Sequence, residues 1–129
     1  MKVGIIDISQ LKTLPEKHEL ETARIFSELG HDVVFIPPSN VPGIHTADIL
    51  MDGVEWEMKC PSGKAKRTIE QNIRLAVKQS HYIIFDLHRI KIPEKQCISD
   101  LEKQFNLKKY IKKILIIKQS GEVIELARS

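Results

Sequence analysis

The chain has 129 residues, of which 42% are apolar and 29% are charged, and its formal net charge is +3. These values are typical of a single folded domain over residues 1–129, and they argue against an acidic disordered chain. No apolar run is long enough to cross a bilayer, and the N-terminus lacks the apolar stretch of a signal peptide. We therefore expect a cytoplasmic protein without membrane contact.

The first third of the chain carries strand-like and helix-like patterns in alternation. The patterns predict a strand over Val3–Ile8, a helix over Glu16–Leu29 that is capped by Thr13, a strand over Asp32–Ile36, and a loop over Ser39–Thr46. A strand, a helix and a second strand in this order are typical of a sheet that is covered by helices.

An Asp52-Gly53 pair then separates two strand-like runs, which is the strongest short-range signal for a β-hairpin. With a two-residue loop, Asp48 faces Glu57 across the hairpin. Because faces alternate along a strand, one face is wholly apolar and the other is mostly polar. The apolar face carries Ile49, Met51, Val54, Trp56 and Met58, and the polar face carries Asp48, Leu50, Glu55, Glu57 and Lys59.

The facing carboxylates of Asp48 and Glu57 predict a metal site, because opposed like charges destabilise a strand pair unless a cation lies between them. Carboxylate oxygens and water suit Mg²⁺ or Mn²⁺. Lys59 can then orient a water molecule and offset charge on a phosphoryl group. Zinc is disfavoured, since no HxH or HExxH pair occurs and only His45 could join Asp48. The alternative is a solvated surface in which Lys59 pairs with Glu57.

The first predicted helix supplies a third acid. On a helical wheel Glu19 falls within the apolar stripe, whereas Glu21 points away. A core-facing acid costs free energy unless it is paired or binds a cation, so we predict that Glu19 joins Asp48 and Glu57. The alternative is that Glu19 reaches solvent near the helix N-terminus, where the helix dipole favours it.

A basic segment follows the hairpin, where Pro61 and Gly63 interrupt the strand before a helix predicted over Arg67–Gln79. Loop amides, a helix N-terminus and basic side chains together predict a cradle for the phosphates of a nucleic acid. The candidate contacts are Ser62, Lys64, Lys66, Arg67, Gln71, Arg74, Lys78 and Gln79. The alternative is an exposed face that only keeps the domain soluble.

The last third of the chain completes the predicted domain. The patterns predict a buried strand over Tyr82–Leu87, a helix over Ser99–Tyr110 with Ser99 and Glu102 as a capping box, and a hairpin of Lys113–Lys118 and Val123–Ala127. Cys60 and Cys97 belong to no CxxC pair and are predicted to be reduced thiols. The fold class is therefore α/β (α+β), with a mixed central β-sheet flanked by helices.

The order of these residues resembles that of a known group of enzymes. A helix glutamate, then Asp48, then Glu57-Met58-Lys59 resembles the motif of the PD-(D/E)xK nuclease superfamily, whose fold is restriction-endonuclease-like. From Lys17 to Arg89 the chain is similar to the C-terminal nuclease domain of contact-dependent growth inhibition toxins of the CdiA type, and to related phage and mobile-element proteins. One departure is Ala47, where the motif has proline.

The resemblance implies a role for each matching residue. It implies that Asp48 and Glu57 ligate the metal, that Lys59 is catalytic, that Glu19 assists, and that Gln71 or Gln79 is the helix glutamine. It further implies a metal-dependent endonuclease in a toxin role, acting on RNA (tRNA above all) or otherwise on DNA, with an immunity protein as its partner. The alternative is a catalytically inactive module of a mobile element or phage that binds nucleic acid or protein.

Overall fold

The computed structural model describes residues 2–128 and shows seven strands and three helices within them. In chain order these are β1 (Ile6–Asp7), α1 (Lys17–Glu28), β2 (Val33–Phe35), β3 (Ile49–Met51), β4 (Val54–Lys59), α2 (Thr68–Ala76), β5 (Tyr82–Asp86), α3 (Glu94–Leu107), β6 (Lys113–Ile117) and β7 (Val123–Ala127). None of these helices combines the length and the apolar character that a bilayer span requires.

The seven strands form one mixed sheet, in which they lie side by side in the order of the sequence. β3 pairs antiparallel with β2 on one side and with β4 on the other, and β6 pairs antiparallel with β7. The three remaining pairs, β1–β2, β4–β5 and β5–β6, are parallel, and a helix connects the strands of each of them. The predicted class, a mixed central sheet flanked by helices, is confirmed.

The sheet separates two apolar cores. The core on the α1 face contains Ala23, Phe26, Val33, Phe35, Ile49, Met51, Trp56, Met58, Ile84 and Ile117. The core on the α2–α3 face includes Ile69, Ile73, Ile83, Phe85, Leu101, Phe105 and Ile114. Because successive side chains point to opposite faces, β4 directs Trp56 and Met58 toward α1, and Glu57 and Lys59 toward the other face.

The predicted β3–β4 hairpin is confirmed in its register and in its turn. Ile49 pairs with Trp56 and Met51 pairs with Val54. Asp52 and Gly53 both have positive φ angles, 55° and 76°, as a tight two-residue hairpin turn requires. Glycine reaches this backbone region without strain, which explains its place directly after the aspartate.

Two predicted boundaries near the N-terminus are wrong. β1 pairs with β2 only through Ile6 and Asp7, so the strand is much shorter than Val3–Ile8. Thr13 does not cap α1, because the helix begins after Glu16, whose backbone N–H donates to Oε1 of Glu19 at 2.8 Å. Glu19 therefore provides the side-chain cap at the start of α1, the role that the sequence patterns predicted for Thr13.

Two further boundaries differ in the helices of the α2–α3 face. α3 begins directly after Pro93 and ends at Leu107, whereas Ser99 was predicted to start it. Proline suits the start of a helix, and Ser99 with Glu102 lies inside the helix instead of capping it. α2 ends at Ala76, three residues before the predicted end at Gln79, while the β6–β7 hairpin is as predicted.

Gly4 lies in close contact with the connection between α1 and β2. Its N–H donates to the carbonyl of Ser27 at 2.7 Å, and a Cβ built at this position would overlap the backbone carbonyl of His31. We expect Gly4→Ala to lower the free energy of unfolding by about 1–3 kcal/mol, because backbone has to move to admit the methyl group. Thermal unfolding measures the loss.

Gly63→Ala is the matched control for that substitution. Its Cβ would meet only the side chain of Thr68, at 3.2 Å from Oγ1, and a side chain can turn aside more easily than backbone. We expect a smaller loss of stability than for Gly4→Ala. Equal melting temperatures for Gly4→Ala and the wild type would contradict the close approach.

Candidate metal centre

Asp48 and Glu57 lie opposite each other at the open end of the β3–β4 hairpin. The backbone N–H of Asp48 donates to the carbonyl of Trp56 at 3.0 Å, which extends the hairpin pairing by one residue beyond β3. The backbone N–H of Met58 donates to Oδ2 of Asp48 at 2.8 Å. These two bonds hold the Asp48 carboxylate against β4, beside Glu57.

The Glu57 carboxyl group is buried in the sheet, with 5% of the residue exposed. Its Oε1 atom has no hydrogen-bond partner, and its Oε2 atom lies 3.4 Å from Nζ of Lys59. Burial, followed by the charge of Asp48, raises the pKa of Glu57 to about 8, while the Lys59 ammonium acts in the opposite direction. A hydrogen bond with Asp48, to which protonated Glu57 can donate, also favours the raised pKa. The ionised Glu57 carboxylate lacks a partner for Oε1, which is rare for a buried oxygen in folded proteins.

This arrangement fits the predicted metal. Two carboxylates that can each supply an oxygen suit the hard cations Mg²⁺ and Mn²⁺, and a cation would satisfy Oε1 of Glu57. The burial of Glu57 also distinguishes the hairpin from the solvated surface of the alternative interpretation. The Lys59–Glu57 ion pair of that alternative is nevertheless observed, so the ammonium lies next to Glu57.

The structure does not bring Glu19 into this group. α1 covers the opposite face of the sheet, and the Glu19 carboxylate accepts the backbone N–H of Glu16 at the start of the helix. Within residues 2–128, Glu19 forms no hydrogen bond with Asp48, Glu57 or Lys59. The helix cap accounts for the position of Glu19 without a metal. That Glu19 assists a metal stays a prediction.

The predicted nucleic-acid contacts form an exposed strip around the start of α2. All of them are exposed except Gln79, which is half-buried and whose Oε1 has no hydrogen-bond partner. Arg67 and Arg74 both pair with Glu70, at 2.7 and 3.2 Å, so one acid offsets part of their charge. The two candidate helix glutamines differ in burial, since Gln71 is exposed to solvent and Gln79 is half-buried.

A second polar cluster, which we call the Cys60 cluster, consists of Cys60, Asp86 and His88. Cys60 follows β4, Asp86 ends β5, and His88 lies two residues beyond. Nδ1 of His88 is 3.7 Å from Sγ of Cys60 and 2.7 Å from Oδ1 of Asp86. These three side chains lie on the α1 side of the sheet, because the hydroxyl group of Thr22 donates to Oδ2 of Asp86 at 2.6 Å.

Glu21 of α1 completes the surroundings of this cluster, since its Oε2 lies 3.3 Å from Nε2 of His88. The prediction that Glu21 points away is therefore wrong. Sequence reasoning missed the cluster because its members come from two separate segments of the chain, the end of β4 and the end of β5. The available signal was Asp86-x-His88 at the end of a buried strand.

The two cysteines are both free thiols, as predicted. Burial, followed by the charge of Asp86, raises the pKa of the Cys60 thiol to about 11. The thiol is therefore protonated at neutral pH and is a poor nucleophile. Cys97 is buried in α3, away from the cluster.

Comparisons with known proteins give one family and one fold. The sequence model of the contact-dependent growth inhibition CdiA C-terminal domain matches residues 45–123. Among solved structures, the chain is similar to one from the CdiA-CT/CdiI toxin and immunity complex of Burkholderia pseudomallei, with a TM-score of 0.63 and 17% sequence identity. That similarity covers 97% of this chain and 100% of the other, and it shows a common fold. No curated protein matches the sequence.

Proposed function

Because the chain belongs to the family of contact-dependent growth inhibition CdiA C-terminal domains, we propose that it is a toxin domain that hydrolyses phosphodiester bonds in nucleic acid. The observation that supports this most is the Asp48–Glu57 pair, in which Glu57 is buried and Lys59 lies beside it. Structural uses of a buried acid next to a second acid are few, since this arrangement destabilises the fold.

In this proposal Asp48 and Glu57 hold Mg²⁺ or Mn²⁺. The Met58 N–H already fixes one oxygen of Asp48, so its other oxygen is the one that remains for a ligand. Glu57 would offer Oε1, which has no hydrogen-bond partner. When bound, the cation supplies an acidified water and charge stabilisation for the phosphate.

Lys59 acts on the reacting phosphate in this proposal. Its Nζ is held 3.4 Å from Oε2 of Glu57 and is partly exposed, so it can reach a substrate at the surface of the hairpin. An ammonium group in this position can donate to the attacking water and to a phosphate oxygen as negative charge accumulates. Glu57 in turn keeps the flexible lysine side chain in place.

The substrate we favour is RNA, with tRNA first, and DNA is the next candidate. The exposed basic strip leads from the end of β4, where Lys59 lies, to α2. Lys64, Lys66 and Lys78 form no ion pair within residues 2–128, so they are free to neutralise phosphates. Binding through such contacts weakens as salt concentration rises.

An immunity protein is the protein partner that we propose. The structurally similar chain comes from what is described as a toxin and immunity complex. A toxin that cleaves common nucleic acids would also need an inhibitor in the cell that makes it. Co-expression with a specific inhibitor would then be required for high yields of the active protein.

The direct test is to incubate the purified protein with a tRNA pool and, separately, with plasmid DNA. We expect cleavage of tRNA in Mg²⁺ or Mn²⁺, and loss of cleavage when EDTA removes the metal, because the acids alone cannot activate water. Gel electrophoresis of the products measures both. Intact tRNA and DNA in the presence of metal would contradict nuclease activity and favour the alternative of a binding module.

A further inference from the structure

We propose that Cys60, Asp86 and His88 form a second metal site, specific for Zn²⁺ or a cation of similar softness, on the opposite face of the sheet from the Asp48–Glu57 pair. Each residue offers one ligand atom, and the three atoms all lie within 4.8 Å of one another. Thiolate and imidazole ligands favour zinc, whereas Mg²⁺ prefers an all-oxygen site. The two sites would therefore select different metals.

The observed distances are close to those of a zinc site. Zinc binds thiolate sulfur at about 2.3 Å and imidazole nitrogen at about 2.0–2.1 Å, which places tetrahedral S and N ligands roughly 3.6 Å apart. The separation between Sγ of Cys60 and Nδ1 of His88 is 3.7 Å. Nδ1 and Oδ1 of Asp86 are 2.7 Å apart, a hydrogen-bond distance, and they would separate by roughly 0.7 Å to bind one ion.

The surroundings hold two of the three ligands in place. With Nδ1 of His88 on the metal, the Nε2–H group would donate to the Glu21 carboxylate, which lies 3.3 Å away. A carboxylate behind a ligating histidine fixes the tautomer of the ring and raises its basicity. The Thr22 hydroxyl group donates to Oδ2 of Asp86, and the backbone N–H of His88 donates to Oδ1 at 3.0 Å, so the carboxylate is fixed while Oδ1 keeps a lone pair for a metal.

The site opens to a cleft of about 210 Å³ that is lined by Glu21, Asp86, His88 and Lys118, with space for a water as fourth ligand. The Lys118 ammonium pairs with Glu122 at 3.3 Å, which offsets part of its charge. The nearest guanidinium group, that of Arg89, donates to the carbonyl of Cys60 and not to the carboxylates. A cation would add to the hydrogen bonds that the buried Asp86 carboxylate already accepts from Thr22 and His88.

Metal binding would replace the S–H bond of Cys60 by an S–metal bond and release one proton to the buffer, with no change in oxidation state. The bound ion would tie together the end of β4, the end of β5 and, through Glu21, helix α1. The consequence would be a more stable fold in the presence of zinc, because the ion binds only the folded arrangement.

Cobalt titration of the full chain tests the site, since Co²⁺ replaces zinc and a thiolate ligand gives a charge-transfer absorption band. We expect the band in the wild type, in Cys97→Ala and in Glu57→Gln, and its loss in Cys60→Ser and Cys60→Ala. Cys97→Ala is the matched thiol control, and Glu57→Gln removes the other metal site, so failure of the proposed nuclease function would leave this result unchanged. A wild type without the band, or a Cys60→Ser variant that keeps it, would overturn the proposal.

Affinity gives a second readout that does not depend on the thiol variants being well folded. We expect Glu21→Gln to weaken Zn²⁺ binding about 10- to 100-fold while the cobalt band remains, because the glutamate orients His88 without touching the metal. Competition with a chromophoric chelator measures the change. Equal Zn²⁺ affinity in Glu21→Gln and the wild type would contradict the arrangement described for His88.

Discussion

Glu57→Gln should reduce metal-dependent cleavage by about 1,000-fold or more, because an amide oxygen is a weaker ligand than a carboxylate and the metal supplies several kcal/mol of transition-state stabilisation. Lys59→Ala should reduce it by about 100- to 1,000-fold, the usual effect of removing one charged donor from a phosphate or oxyanion site. Initial rates on a labelled tRNA, at saturating Mg²⁺, measure both losses.

Each variant has a matched control, a glutamate on the same strand for Glu57 and an exposed lysine elsewhere for Lys59. Glu55→Gln changes an exposed acid two residues from Glu57, and Lys103→Ala removes an exposed lysine from α3. Both should cleave at the wild-type rate. Expression in bacteria should follow the same order, with slow growth for the wild type and the controls and normal growth for Glu57→Gln. Wild-type rates in both Glu57→Gln and Lys59→Ala would remove the assigned roles.

The second large effect is a fall in stability as pH rises, in buffer without divalent metal. The pKa of Glu57 is about 8 in the folded chain, against an ordinary value of 4.5, so the folded state holds a proton that the unfolded state releases. The stability that this proton contributes is fully present below about pH 4.5 and is lost as pH rises through about 8. We expect a loss of a few kcal/mol, measured by urea unfolding at several pH values.

Glu57→Gln should remove most of this dependence, because glutamine carries no charge at any pH and fills nearly the same volume. Glu55→Gln should keep it, since that side chain is exposed. Mg²⁺ added at about pH 9 should restore stability to the wild type, because the ion binds the ionised pair in the folded state alone. Parallel pH profiles of the wild type and of Glu57→Gln would contradict the raised pKa, because they would show that Glu57 has the same pKa in the folded and unfolded chain.

The sequence was informative wherever one local pattern decides the structure. The Asp52-Gly53 turn fixes the hairpin register by itself, and the register places Asp48 opposite Glu57. The fold class followed from the alternation of strands and helices. The Glu57–Lys59 contact could be predicted for the same reason, because two residues along one strand share a face.

The sequence was uninformative where distant segments compete for the same group. A helical wheel gives the direction of Glu19 but not the fact that α1 covers the other face of the sheet, which depends on the handedness and packing of the whole unit. The acid instead caps its own helix. Cys60 and His88 meet only because β4 and β5 are neighbours, and no local spacing encodes that contact.

The two-residue turn between β3 and β4 has a consequence for how this domain can vary. Side chains of β4 point alternately into the apolar core on the α1 face and to the opposite face, which carries the acidic pair. Adding or deleting one residue in the turn would move each side chain to the other face. Trp56 would then occupy the polar side, and Glu57 would enter a core of methionine and aromatic side chains. The length of this turn therefore determines both the packing of the apolar core and the position of the acidic pair, and a change of one residue would disrupt both.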